Sequence, residues 1–215
     1  MYNFLHLLSD SLFAAEAIAA ITSIVYYKSI KASHYRYFSI FLIVIFCCEI
    51  IGGYGEKIIS FSNPIFFNYF VIPLEFLFFF WLYAYQSFKN KKLFYIFAVI
   101  YALSFILNEL YFIKNKNIFS FNYTVGSFLL MFLVIIEYYK QINSDDILNF
   151  AKNKMFYINL GVTLFYIGSL PFWAFYLQLL EHRKIWDLYL IYFRLSGIIM
   201  YLLFASSFIW GKRNS

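Results

Sequence analysis

The sequence predicts an all-α fold, a polytopic transmembrane bundle of about seven helices with the N-terminus outside and the C-terminus cytoplasmic. Three observations predict it. Seven apolar runs approach the roughly 20 residues needed to cross a hydrocarbon core. Charged residues make up only 13% of the 215-residue chain, about half the share of a soluble domain. The mean hydropathy is +0.71, so too little polar surface exists to coat a globule in water.

The runs span about 8–27, 37–54, 65–88, 93–112, 119–139, 155–179 and 186–210. The first is the most polar, because Asp10 and Glu16 fall within it. The third and sixth are the clearest: Glu75 is the single acidic or basic residue of 65–88, and 155–180 has none. Met1 to Leu8 carry no Lys or Arg and Asp10 interrupts the apolar stretch, which predicts no cleaved leader. The longest loop, Lys140 to Lys154, is expected to hold a short interfacial helix capped by Ser144, with Asp145 and Asp146 in its first turn. No soluble domain and no internal repeat is legible. The whole of 1–215 reads as one transmembrane domain.

Orientation follows from the short loops. Lys28, Lys31, Arg36, Lys89, Lys91, Lys92, Lys140, Lys152, Lys154, Lys212 and Arg213 fall on one side, and Lys57, Lys114, Lys116, Arg183 and Lys184 on the other. Eleven against five places the first set, and with it the C-terminus, in the cytoplasm. Trp186 and Trp210 are 24 residues apart. That is about 36 Å of helix, suited to a span anchored at both interfaces. The net charge of +6 is spread over these loops rather than along a groove, which excludes nucleic acid as a partner. The partner implied by composition is the lipid bilayer.

Charge at bilayer depth costs about 2.5–3.5 kcal/mol on insertion scales, so each such residue needs a partner or a function. Glu16, Glu49, Glu75 and Arg194 lie at similar depths, within roughly 8 Å along the normal. They are the expected intramembrane polar cluster. Arg194 is expected to pair with one of the glutamates, Asp187 being a rival partner on its own helix. Glu137 is expected at the inner edge, in reach of water or loop lysines. Pro73 and Pro171 are candidate helix breaks, since each removes one backbone hydrogen bond. Together these features suggest a polar cavity open to the outside.

No nucleotide loop, zinc-protease, serine-hydrolase or CxxC motif occurs. Cys47 and Cys48 are adjacent and read as small apolar residues. His6, His34 and His182 sit near segment ends on both sides, unable to form one metal site. The expectation is no catalytic residue, no metal and no cofactor.

Tyr69-Phe70-Val71-Ile72-Pro73-Leu74-Glu75-Phe76 in the third segment, Met155-Phe156-Tyr157-Ile158-Asn159-Leu160-Gly161 with Tyr166, Ile167 and Gly168 in the sixth, and the apolar run before Trp210 and a basic tail form a pattern. It resembles a group of small seven-helix bacterial integral membrane proteins without soluble domains. Pro73 and Phe156 stand where that group more often has Leu and Trp. The resemblance implies the bacterial inner membrane as location and points to Glu75 and Asn159, the latter as a cavity-lining polar residue. It supplies no reaction.

Three readings of function remain. The leading one is a non-enzymatic sensor or accessory membrane protein. It would contact a cytoplasmic or membrane protein partner through the 140–154 loop and Lys212–Arg213. The second is a transporter of protons or small solutes, opposed by the apolar inner halves of segments three and six. The third is a structural subunit of a membrane complex.

Overall fold

A computed structural model describes residues 2–58, 62–111, 120–144, 147–179 and 181–211. It is 90% helical, with no strand among the described residues. Seven helices are long and apolar enough to cross a membrane: α1 (Asn3–Val25), α2 (Tyr35–Gly53), α3 (Asn63–Ser87), α4 (Lys91–Leu110), α5 (Phe121–Ile142), α6 (Lys154–Ala174) and α7 (Arg183–Trp210). Their outward faces are apolar: Val25 and Leu110 are each 70% exposed, surface that suits lipid and not water.

The helix ends differ from the sequence expectation where local bonds outweigh hydropathy. α1 begins well before residue 8, because Ser9 bonds back to the Leu5 carbonyl and His6 pairs with Asp10 one turn on, both compatible with helix. α6 stops at Ala174 rather than 179. Phe175 leaves helical geometry (φ −107, ψ 20), and Tyr176–Leu179 forms a separate turn. The 140–154 loop holds a 3₁₀ turn, Ile147–Lys152, while the expected acidic first turn at Asp145 and Asp146 lies outside the described residues. So do Lys114, Lys116, Lys212 and Arg213.

The helices form a ring in which each packs on its chain neighbours and α7 closes against α1. Small residues set the closest approaches, as expected where lipid offers no hydrophobic drive between helices. Ala15, Ala19 and Ala20 make a buried stripe on α1. A Cβ on Gly161 of α6 would stand 3.1–3.3 Å from Phe204 and Met200 of α7.

α3 is the hub. Its Phe79 ring contacts Phe41 of α2, Tyr166 of α6 and Phe204 of α7, at centroid distances of 5.4, 5.4 and 6.2 Å. Phe76 contacts Tyr101 of α4 at 5.3 Å, Tyr123 of α5 at 5.3 Å and Tyr166 at 5.4 Å. Both phenylalanines are fully buried. They form an aromatic plug at mid-bundle, held by edge-to-face packing.

Candidate functional site

The architecture brings Glu16, Glu49 and Glu75 together from α1, α2 and α3. Glu16 continues the buried alanine stripe and is 6% exposed, whereas Glu49 and Glu75 are half-buried. The three carboxyls lie within range of one another's charge. The Tyr201 hydroxyl of α7 faces Glu16, and the Tyr166 hydroxyl of α6 faces Glu75. Among the described residues no three acidic, His or Cys groups converge tightly enough to hold a metal ion, so the carboxyls share a region rather than a point.

Arg194 does not join them, which corrects the expected ion pair. Its Nη1 donates to the Leu5 carbonyl at 2.8 Å, and among the described residues no ion pair links it to Glu16, Glu49, Glu75 or Asp187. A guanidinium on a long stem reaches for the polar end of a bundle. Leu5 lies close to the start of α1 and offers a first-turn carbonyl there. The cost of Arg194→Leu is therefore one charged hydrogen bond, about 1.5 kcal/mol, rather than a stranded carboxylate. A small fall in melting temperature in detergent, with normal yield, is the expected result.

The half of the bundle nearer residue 211 holds a second polar group. The Tyr83 hydroxyl donates to Asn159 Oδ1 at 2.9 Å. Thr163 Oγ1 donates to the Asn159 carbonyl at 2.7 Å and lies 3.1 Å from the Tyr138 hydroxyl. Nearby, Ser87 Oγ donates to Glu137 at 2.5 Å and Gln141 Nε2 donates to the same carboxylate at 3.1 Å. Lys140 Nζ donates to Ser87, to its carbonyl at 2.9 Å and its hydroxyl at 2.8 Å. Glu137 stands near the inner end of its span as expected, 2% exposed, with the loop lysine Lys140 one hydrogen bond away through Ser87. One expectation is corrected. Segments three and six are not apolar in this half, because Tyr83, Ser87, Asn159 and Thr163 come from them. Asn159 is fully buried here, apart from the three glutamates.

Beside this group, between α1 and α2, the His34 ring lies tilted against that of Tyr35, centroids 4.3 Å apart. Burial, followed by the charges of Lys89 and Lys140, holds its pKa below the ordinary 6.5. A depressed imidazole resists protonation only in the fold, so stability is full at pH values above 6.5 and falls as pH drops below it. The melting temperature should decline on acidification through that window, and His34→Gln should reduce the decline.

Pro73 and Pro171 lie where the helical ladder is rearranged. Residues 67–71 and 81–87 of α3 and 163–167 of α6 are π-helical, a geometry often found at functional sites. The Ile72 N–H donates five residues back to Phe67, which carries α3 helically into Pro73. In α6 the Gly168 N–H reaches the Thr163 carbonyl at 3.0 Å and leaves that of Leu164 free. Tyr192 of α7 takes it, its hydroxyl donating at 2.6 Å.

Among the described residues, a groove of about 500 Å³ runs between α3 and α4 past Tyr69, Pro73, Leu77 and Phe105, and its lining is apolar. Sequence reasoning missed Tyr166 and Tyr201 because the chain has 21 tyrosines, most suited to an interfacial belt. Depth was the usable signal, since both lie at least eight residues inside their spans.

Comparison with protein-family models, with curated proteins and with solved structures finds no match.

Proposed function

We propose that this chain is a proton-responsive multi-pass membrane protein, a sensor or accessory subunit without enzymatic activity, oriented with its N-terminus outside the bacterial inner membrane. The carrying observation is that Glu16, Glu49 and Glu75 share one region from three helices, with no ion pair to any of them among the described residues. Like charges in a poorly solvated site repel strongly. Their spacing is wider than a metal ligand set, so protons are the neutralising species that fits. With protons bound, the carboxyls exchange hydrogen bonds with Tyr166 and Tyr201. With protons lost, α1, α2 and α3 are pushed apart at mid-depth.

α3, one of those three, is suited to moving: it carries π-helical turns at 67–71 and 81–87 on either side of the plug, where a one-residue shift of the ladder rotates everything beyond it, and α6, whose Tyr166 packs on the plug, carries a third at 163–167. The shift would be read at the opposite face by a protein partner, through residues 140–154 and the basic tail.

One observation favours a second reading, proton-coupled transport. Tyr83, Asn159, Thr163 and Tyr138 continue polar groups past the plug toward the other face, as far as Glu137. A carrier needs such groups in both halves.

Reconstitution into liposomes separates the readings. An infrared carboxyl band and tryptophan fluorescence that change reversibly with pH, without net flux to an internal dye, support the sensor. Sustained proton flux driven by a solute gradient supports transport. A carboxyl band that is the same in acid and alkaline buffers sinks both.

A further inference from the structure

Most buried hydroxyls in this bundle are satisfied locally. Ser23, Ser104, Ser196 and Ser207 donate to backbone carbonyls three residues back, and Ser39 donates to Ser23. Apart from Asn63 Oδ1 and Asn159 Nδ2, the exceptions gather on three neighbouring helices: Tyr101 of α4, Asn122, Tyr123 and Ser127 of α5, and Trp173 of α6 present hydrogen-bonding atoms with no partner among the described residues, the two Asn122 amide atoms included. All five are 6% exposed or less. An unmet polar group costs about 1–3 kcal/mol, and in hydrocarbon nothing outside the protein offsets it.

The five are not scattered. Asn122 and Tyr123 open α5 and Trp173 ends α6, so they meet at the face that carries the N-terminus. The Tyr123 and Trp173 rings are 4.7 Å apart. The Ser169 hydroxyl donates to the Tyr166 carbonyl at 3.3 Å and lies beside the Tyr123 hydroxyl, which also has the Trp173 N–H close by. Deeper in, Tyr123 lies 6.1 Å from Tyr166, ring to ring, the Phe76 ring contacts both Tyr101 and Tyr123, and the Tyr166 hydroxyl faces Glu75. Buried polar atoms left without a direct partner are the setting in which ordered water is found, and a buried water needs two to four such atoms.

We infer that Tyr101, Tyr123 and Trp173 hold a short file of ordered water between α4, α5 and α6, linking the N-terminal face of the bundle to Glu75. The file would be the route by which protons reach the carboxyl centre. In that role it rests on the proton-responsive reading, but the presence of the water does not.

Radiolytic hydroxyl-radical footprinting of the full chain in lipid nanodiscs, read by mass spectrometry, tests it. Radicals form from bound water and mark side chains beside it, however deeply buried. Corrected for intrinsic reactivity, Tyr123 and Trp173 should be oxidised several-fold faster than Phe204 and Phe208, which are also buried but apolar. Equal rates would overturn the proposal. Tyr123→Phe should then lower the labelling of Trp173 and slow hydrogen–deuterium exchange at the carboxyl band, and unchanged labelling of Trp173 would again count against the file. Labelling of Tyr123 and Trp173 with a pH-insensitive carboxyl band would leave the water in place and remove the proton-responsive reading instead.

Discussion

Gly168→Ala should destabilise the bundle by about 3–5 kcal/mol, combining the cost of overpacking with that of a stranded carbonyl. A Cβ at this position would stand 1.7 Å from the Tyr192 hydroxyl and 2.5 Å from the Leu164 carbonyl oxygen. The first contact forces Tyr192 away, and with it the hydroxyl that satisfies Leu164. The second presses on backbone, which cannot swing aside. In water the freed carbonyl would find a solvent partner, but within the span it has none. Tyr192→Phe alone removes the donor without the clash and should cost about 1–3 kcal/mol. The double variant should be no less stable than Gly168→Ala alone, because removing the Tyr192 hydroxyl relieves the closest clash and both changes strand the same carbonyl. Thermal unfolding in a fixed detergent measures all three. A Gly168→Ala variant as stable as the wild type would mean that the π turn of α6 is not held by Tyr192.

What could be read in the sequence depended on the kind of force at work. The seven helices were legible because hydropathy over 20 residues is a summed quantity, tolerant of single polar residues such as Glu75 or Asn159. Depth along the helices is the signal that sets Glu16, Glu49 and Glu75 at one level. Residues at one level of a small bundle have few places to be. Arg194 shows the limit of that argument. Its backbone depth matches the glutamates, but its side chain is long enough to choose among partners over a turn of helix, and it chooses the Leu5 carbonyl. The π turns left no residue signature beyond Pro73 and Pro171, because they are insertions in a hydrogen-bond ladder rather than changes in polarity. The polar group around Asn159 was missed for a related reason. Tyr83 and Thr163 look apolar or neutral in a hydropathy window, and only three-dimensional pairing reveals their hydroxyls as a network.

Glu75→Gln and Glu75→Leu should part company in stability and agree in function. Glutamine keeps the size of the side chain and can still accept from Tyr166, so its melting temperature should stay close to that of the wild type. Leucine leaves the Tyr166 hydroxyl unmatched in a fully buried position and should cost about 1–3 kcal/mol. Neither can gain or lose a proton, so both should abolish the pH-dependent change in tryptophan fluorescence. Glu137→Gln serves as the contrast, since Glu137 belongs to the Ser87–Gln141 group in the other half and its loss should spare that response. The comparison tests the protonated carboxyl centre directly. If glutamine were as damaging as leucine, the native state would require a negative charge at position 75, and a centre held together by protons would be ruled out. If glutamine were benign but the pH response persisted, the proton would be carried by Glu16 or Glu49, and the same pair of substitutions at each would locate it.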